Sequence, residues 1–378
     1  MTGRRHRMTQ AISRSVRGAG RSTPLPPAYS MCDDLLDSLP RQDQRACGHD
    51  YVRGLLATPG RKSMRNMAAE IGVRAMEQRL HHFISDSTWD WNLVRLAHAR
   101  RVCSSGQVRA YVLRLSFIPK AGTRTVGVSR LYRPCAGDTV NAQVAAGLWV
   151  TGDTTAPVNW TLFLPEADSD VEHCLVETFN GVREELSPAP VLVDSRHLDP
   201  GAMIDELMKH RIHLLVRVSG ELELDTDDRA LGPRSVTHRP VSELVRAVRP
   251  RPVRKVHDTS VCLAATLRVS APRRTDGRPV DPTRRLQLAG LYDPRSRGRS
   301  YWLAALPSER RCDLLELTSI LSNIDAEVRQ TSGDVGLHDF VGRSFAGWNR
   351  HMTLASIAYA IRAAQHRSIG SVERSRVG

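Results

Sequence analysis

Between residues 31 and 105 the apolar positions recur every three or four residues. Cys47, Tyr51, Val52, Leu55 and Leu56 form one such set, Met64, Met67, Ala68 and Ile71 a second, and Val73, Met76, Leu80, Phe83 and Ile84 a third. That spacing predicts amphipathic helices packed through one stripe each. "TPG" at 58–60 separates the first two, and "SDST" at 85–88 offers an N-cap for a further helix carrying Trp89 and Trp91. The period then drops to two. In "AYVLRLSFIPKAG", from Ala110, the residues Tyr111, Leu113, Leu115 and Phe117 share one face, while Val112, Arg114, Ser116 and Ile118 share the other. A guanidinium therefore stands in the middle of a strand that otherwise reads as core.

Two more strand-like runs follow, "TVGVSRLYR" and "NAQVAAGLWVT", divided by the turn-forming "PKAGTR" and "PCAGD". "SDVEHCLVETFNGVREEL" has helical spacing, "APVLVDSRH" is a short apolar strand ending in Asp194, "GAMIDELMKHR" is a helix and "IHLLVRVSG" a strand. Three strands, helix, strand, helix, strand is an α/β order. Its strand–helix–strand unit requires parallel pairing with a right-handed crossover, and such sheets bind ligands outside the carboxyl ends of their strands. From 221 to 309 the chain is rich in Pro and Arg and broken by "SVCLAATLRVS", "RLQLAGLYD" and "SYWLAALP", which reads as a β-rich insertion. Helical patterning returns in "DLLELTSILSNIDAEVRQ" and "MTLASIAYAIRAA". The expected organisation is a disordered basic tail at 1–30, a helical domain at 31–105, the first part of an α/β core at 106–220, the insertion at 221–309, a helical C-terminal part of the core at 310–366, and a tail at 367–378.

Charge adds a partner to this picture. The 378 residues carry a net charge of +14. Such an excess favours a polyanion, because basic side chains gain affinity by displacing counterions from phosphate. Only four of the 54 basic residues are lysines, a bias that a GC-rich genome would also produce. The seven cysteines are scattered, with no CxxC pair, so neither a disulfide framework nor a zinc site is indicated. The Arg-rich N-terminus lacks the apolar core of a signal peptide and "VAAGLWV" is too short to cross a bilayer, which leads to the expectation of a cytoplasmic, nucleoid-associated protein with no membrane partner and no small-molecule substrate. Two tempting motifs fail. "GLLATPGRKS" joins two helices and carries an Arg between its second Gly and the Lys, so it is no phosphate loop. His81 and His82 are adjacent on a helix and face different directions.

Five stretches in this order, "GRKSMRNMA", "IPKAGTRTVGVSRLY", "NAQVAAGLW", "PVNWTLFLP" and "GLHDFVGRSFAGWNRHMTLASIA", resemble segments of bacterial insertion-sequence transposases of the DDE superfamily. The likeness runs from Met31 to about Ala364 and implies a ribonuclease H-like mixed sheet with flanking helices. It also implies phosphoryl transfer on DNA, in which three carboxylates hold two Mg²⁺ or Mn²⁺ ions. Counting from the family's landmarks, the first carboxylate position, a few residues before Pro119-Lys120, falls on Arg114. The second matches Asp194. The third, eleven residues before Gly336, falls on Asp325, a Glu shortened by one methylene. A family Lys beyond it is replaced by Ser332, and a family Arg before it by Leu321.

The resemblance thus points to a site with Asp194 and Asp325 as surviving catalytic and metal-binding candidates and a cation in the first place, where metal is not expected to bind normally. Arg114 is expected to pair with Asp194, filling a vacated metal position. Competing readings stay open: Asp194 as a plain helix cap, Glu327 or Asp334 in the third place, and Asp153 as a rescuing carboxylate. DNA contacts are expected from Arg61, Lys62 and Arg65 at a helix start, and from Lys120, Arg124, Arg343 and Arg350 in the turns beside the site. The functional expectation is a transposase-like DNA-binding protein with an impaired site, either a remnant or a domesticated regulator. An active cut-and-paste transposase and a protein-interaction factor on the same scaffold are the alternatives. Active relatives would be expected to work as homodimers.

Overall fold

A computed structural model describes residues 30–377 apart from 74, 134–136, 168–169, 227–236, 256–257, 274–284, 294–297 and 307–312. The tail expected at 1–30 therefore lies outside the described residues, except for Ser30. The N-terminal helices are α1 (Ser30–Leu36), α2 (Gln42–Ala57), α3 (Met64–Ile71), α4 (Met76–Ser85) and α5 (Trp91–Ser104). Ser63 caps α3 by accepting from the Asn66 N–H, and Asp90 caps α5 by accepting from that of Asn92. The start of α5 thus falls after the "SDST" cap expected from sequence. Trp89 lies outside the helix, buried and stacked on Phe83 with 5.3 Å between ring centroids, and its indole N–H donates to the Phe83 carbonyl. That anchor fixes the chain entering α5.

The sheet strands near the site are β1 (Val108–Pro119), β2 (Val128–Arg133), β3 (Asp138–Gly152), β4 (Ala156–Leu162), β5 (Val191–Asp194) and β6 (Leu214–Val218), with α6 (Val171–Asn180) and α7 (Pro200–Lys209) between them. β1 runs antiparallel to the long β3, whose outer edge takes β2 and then β4. β4 is a strand that the sequence reading did not count. β1, β5 and β6 are parallel neighbours, as the strand–helix–strand pattern requires.

The chain continues through a two-stranded sheet, β7 (Glu223–Thr226) with β8 (Thr237–Pro240), and α8 (Val241–Arg246). Then come β9 (Arg251–Lys255), β10 (Asp258–Ser270), β11 (Arg285–Asp293) and β12 (Gly298–Ala305). These last four do not form a sheet of their own. β12 pairs antiparallel with β6, and β11, β10 and β9 follow, so the stretch read as an insertion extends the same sheet in the order β2-β3-β1-β5-β6-β12-β11-β10-β9.

Helices α9 (Leu314–Asp334) and α10 (Phe345–Val377) complete the chain. Residues 347–361 of α10 are buried on every side, the signature of a helix threaded through a core. α10 packs on β4 and on α2, α4 and α5, so the N-terminal helices and the sheet share one apolar interior. Alternation along β4 sets which helix covers which face. Trp160 donates from its indole to Ser356 of α10, and the next residue, Thr161, bonds Thr178 of α6.

Candidate functional site

Arg114 lies on β1 opposite Gly147 of β3, one residue past the Leu113–Val193 pairing with β5. The same step on β5 is Asp194, which is paired in register with Arg217 of β6. Residues in register on adjacent strands project to the same face, so Arg114, Asp194 and Arg217 form one row across three strands. Glycine is needed at 147 because a Cβ there would come within 2.6 Å of the Trp160 ring, which occupies the space beside Arg114. On the same face α9 brings Asp325 over the row. The three positions that sequence counting picked out, 114, 194 and 325, therefore do converge.

Their pairing differs from expectation. Arg114 does not pair with Asp194: its Nη2 lies 2.9 Å from Asp325 Oδ1. Asp194 is held instead by Arg196, whose Nε donates to Oδ1 at 2.9 Å and whose Nη2 donates to Oδ2 at 2.7 Å, with Arg217 Nη1 at 3.8 Å. The reason is local. Arg196 is two residues along the chain and closes a two-pronged fork on the carboxylate with little loss of chain freedom. Arg114, emerging from the sheet, meets the helix above. The competing carboxylate Asp153 is engaged elsewhere, accepting from the Gln107 backbone at 2.8 Å. Asp334 is an exposed residue at the end of α9, and the Glu327 side chain lies outside the described residues.

The electrostatics follow from burial and these partners. Burial lowers the Arg114 pKa, with Asp325 restoring part of the charge and Arg329 opposing it. Burial works against the Asp194 carboxylate as well, yet the Arg196 hydrogen bonds win and hold its carboxyl below the usual range. Arg196 is raised by its bond to Asp194, while Arg217 is lowered by burial and then by Arg196. Two guanidinium nitrogens in the row, Arg114 Nη1 and Arg217 Nε, are buried without a hydrogen-bond partner among the described residues. Arg217 also lies over the Trp302 ring, 5.7 Å from its centroid. Among the described residues no group of three or more His, Cys, Asp or Glu side chains is placed to hold a metal ion.

The expected DNA-contacting residues divide. Arg61, Arg65, Arg124 and Arg343 are exposed. Three others make contacts within the protein. Lys62 is buried, with its ammonium on the Thr58 carbonyl and its backbone N–H donating to Asp339 at 2.7 Å. Its stem lies on Gly336, which has φ of +63° and no space for a Cβ. Arg350 is buried, donates to the Ile84 carbonyl at 2.9 Å, and stacks over Trp89 and Trp91. Lys120 donates to the His338 and Phe340 carbonyls, 2.7 Å each, and burial pulls its pKa to about 8. These lysines fasten the loop between α9 and α10 to β1 and to the segment before α3.

Arg196 and Arg217 were missed by sequence reasoning. Arg217 carried the same signal as Arg114, a lone guanidinium inside an apolar strand, "LLVRV". Arg196 had none beyond standing two residues after Asp194.

Residues 34–177 match the family model described as DDE superfamily endonuclease. The chain is similar over that stretch to DDE-superfamily, transposase-like proteins. Its mixed sheet, with antiparallel β1 and β3 followed by parallel β5 and β6, is the ribonuclease H-like arrangement that the resemblance implied. The match includes Arg114 and ends within α6, before Asp194 and Asp325. No curated protein matches the chain. Among the described residues no helix is long and apolar enough to cross a membrane.

Proposed function

We propose that this transposase-like protein binds DNA but has an impaired cleavage site, as the remnant or domesticated form of an insertion-sequence enzyme. The observation that carries the reading is the Arg114–Asp325 ion pair, 2.9 Å long, at the junction of the three positions where the family's chemistry needs carboxylates. DNA transposition by this superfamily uses divalent metal ions, and the donor set here does not fit two of them. Both carboxylates are already bonded to guanidinium groups. A fixed positive charge about 4 Å from a metal opposes it by about 4 kcal/mol per unit of metal charge at an effective dielectric near 20. DNA binding itself is supported by the net charge of +14 and by the exposed Arg61, Arg65, Arg124 and Arg343.

The test is strand cleavage of DNA carrying the element's own ends, with Mn²⁺, by the natural protein and by Arg114→Asp. The natural protein is expected to shift such DNA in a salt-dependent manner without cutting it, and the variant to bind Mn²⁺ more tightly by at least tenfold, the equivalent of about 1.4 kcal/mol. Efficient cleavage by the natural protein would overturn the impaired reading, and absence of any salt-dependent shift would overturn DNA binding.

A further inference from the structure

The charges around the three converging positions do not balance. Arg114, Arg196 and Arg217 face Asp194 and Asp325, and Arg329 is close enough to depress Arg114 further. Among the described residues the cluster holds four guanidinium groups and two carboxylates, and the cations repel one another: Arg196 disfavours the charge on Arg217, as Arg329 does that on Arg114. Two donors, Arg114 Nη1 and Arg217 Nε, have no acceptor among the described residues. A buried N–H left without a partner is costly, and an anion with several oxygens relieves that cost while neutralising the surplus charge.

The geometry suits one tetrahedral anion. Arg114 and Arg217 are two strands apart in a single row, about 10 Å between Cα atoms at the ordinary strand spacing. The Asp194 carboxylate that stands between them in the row is taken up by Arg196, which leaves Arg114 Nη1 and Arg217 Nε uncommitted. The Arg217 guanidinium also lies over the Trp302 ring, 5.7 Å from its centroid. Asp325 is the movable piece, because its side chain is 55% exposed while that of Arg114 is 20% exposed. Returning that carboxylate to water loses little, whereas Arg114 keeps needing a partner.

We propose that this cluster is a metal-independent phosphate site, in which a phosphodiester or terminal phosphate of a DNA strand displaces Asp325 from Arg114 and is held by Arg114 and Arg217. The identity of the phosphate as DNA rests on the function proposed above; the site itself rests on the charge surplus and the unmatched donors. Its signature is a sign pattern that a metal site cannot give: chelation has no effect, removing a carboxylate tightens binding, and removing a guanidinium weakens it.

The experiment uses the full chain in EDTA and titrates a labelled single-stranded oligonucleotide by anisotropy, with inorganic phosphate as competitor. Asp325→Ala, at an exposed helix position, should tighten the oligonucleotide about threefold or more, in line with loss of one exposed competing ion pair. Arg217→Met should weaken it about tenfold and lower the salt slope by about 0.7, the contribution of one phosphate contact on a single strand. Arg196→Gln, a change at an exposed side chain, serves as a second cation deletion should Arg217→Met fail to fold. Competition by millimolar inorganic phosphate that follows the same variant order supports the site with free phosphate as a second source. Unchanged affinity and slope in the cation deletions, or loss of binding in EDTA, would overturn the phosphate site while leaving DNA binding elsewhere on the protein intact. If the oligonucleotide does not bind at all, the DNA reading fails, and protection of the protein against heat by inorganic phosphate, present or absent, then decides the site alone.

Discussion

The fold treats two of its inward-facing arginines, Arg95 and Arg114, differently. Arg95 on α5 is 4% exposed and no carboxylate among the described residues is bonded to it, yet its guanidinium is spent completely. It donates to Thr353, Asn159, the Trp160 carbonyl, and both the side chain and carbonyl of Asn349. Arg114 has an acidic partner that is itself half in water, and one of its nitrogens has no acceptor. A buried charge is tolerated when every polar hydrogen is matched, and its role is then to join elements, here α5, β4 and α10. A charge left partly unmatched, with a counter-ion half in water, is the arrangement on which the proposed phosphate site rests. The difference lies in hydrogen-bond completeness as well as in depth.

The largest effect expected from breaking this comparison is at Arg95. Arg95→Met keeps the stem and removes the donors, leaving the acceptors on Asn159, Trp160 and Asn349 stranded in a dry interior. A loss of about 3 kcal/mol or more is expected, read as a lower midpoint in urea at unchanged slope. Enough acceptors would be stranded that a loss below about 1 kcal/mol would show the network to be dispensable and remove the contrast.

Acid provides the next largest effect, because the closed part of the interior also holds neutral histidines. His98 directs Nε2 at the Pro157 carbonyl at 3.0 Å, so Nε2 carries the proton and the buried Nδ1 is bare. His351 donates from Nε2 to the Gly336 carbonyl and accepts at Nδ1 from the Tyr51 hydroxyl, 2.8 Å away. Burial, the first cause for both, pulls each pKa from 6.5 to about 4. Between those values the unfolded chain binds protons that the folded chain refuses, so stability falls as pH falls through the window and is fully present above about 6.5. Each histidine accounts for about 3 kcal/mol over the full span. His98→Gln should flatten the stability–pH slope between pH 6.5 and 4.5 by up to one proton. Asp194 acts in a separate range: its carboxyl is held below 3.8, so its contribution persists through this window and is lost only in stronger acid. An unchanged slope in His98→Gln would mean that water reaches Nδ1.

Much of the frame was legible because periodicity reports burial. The switch from three-and-four spacing to alternation near residue 106 marks the passage from α5 to β1, and "VLVD" announces a short parallel strand ending in a carboxylate. Arg114 was conspicuous for the same reason, as a charge against the alternation. The partner of Arg114 was not legible, because it depends on how far α9 leans over the sheet, a tertiary distance that no local pattern encodes. Lys62 and Arg350 read as surface cations because composition cannot tell a basic side chain facing solvent from one capping carbonyls of another helix. Arg95 was invisible on the same ground: its acceptors lie 64 to 258 positions away in the chain. β4 was passed over because its apolar and polar residues also fit the loop before α6, and its strand identity comes from pairing with β3.

The smallest expected effect is the one that sharpens the contrast most. Arg114→Met removes a buried guanidinium whose one bonded partner, Asp325, returns to water and whose unmatched nitrogen disappears with it. Loss of the half-exposed pair costs under about 1 kcal/mol, and removal of the desolvated charge offsets part of that, so the urea midpoint should move little in either direction. Phosphate binding should nevertheless weaken, which would separate stability from function at this residue. A loss comparable to that of Arg95→Met would make Arg114 a structural strut like Arg95, and the open row across β1, β5 and β6 would then be a second closed joint in the core.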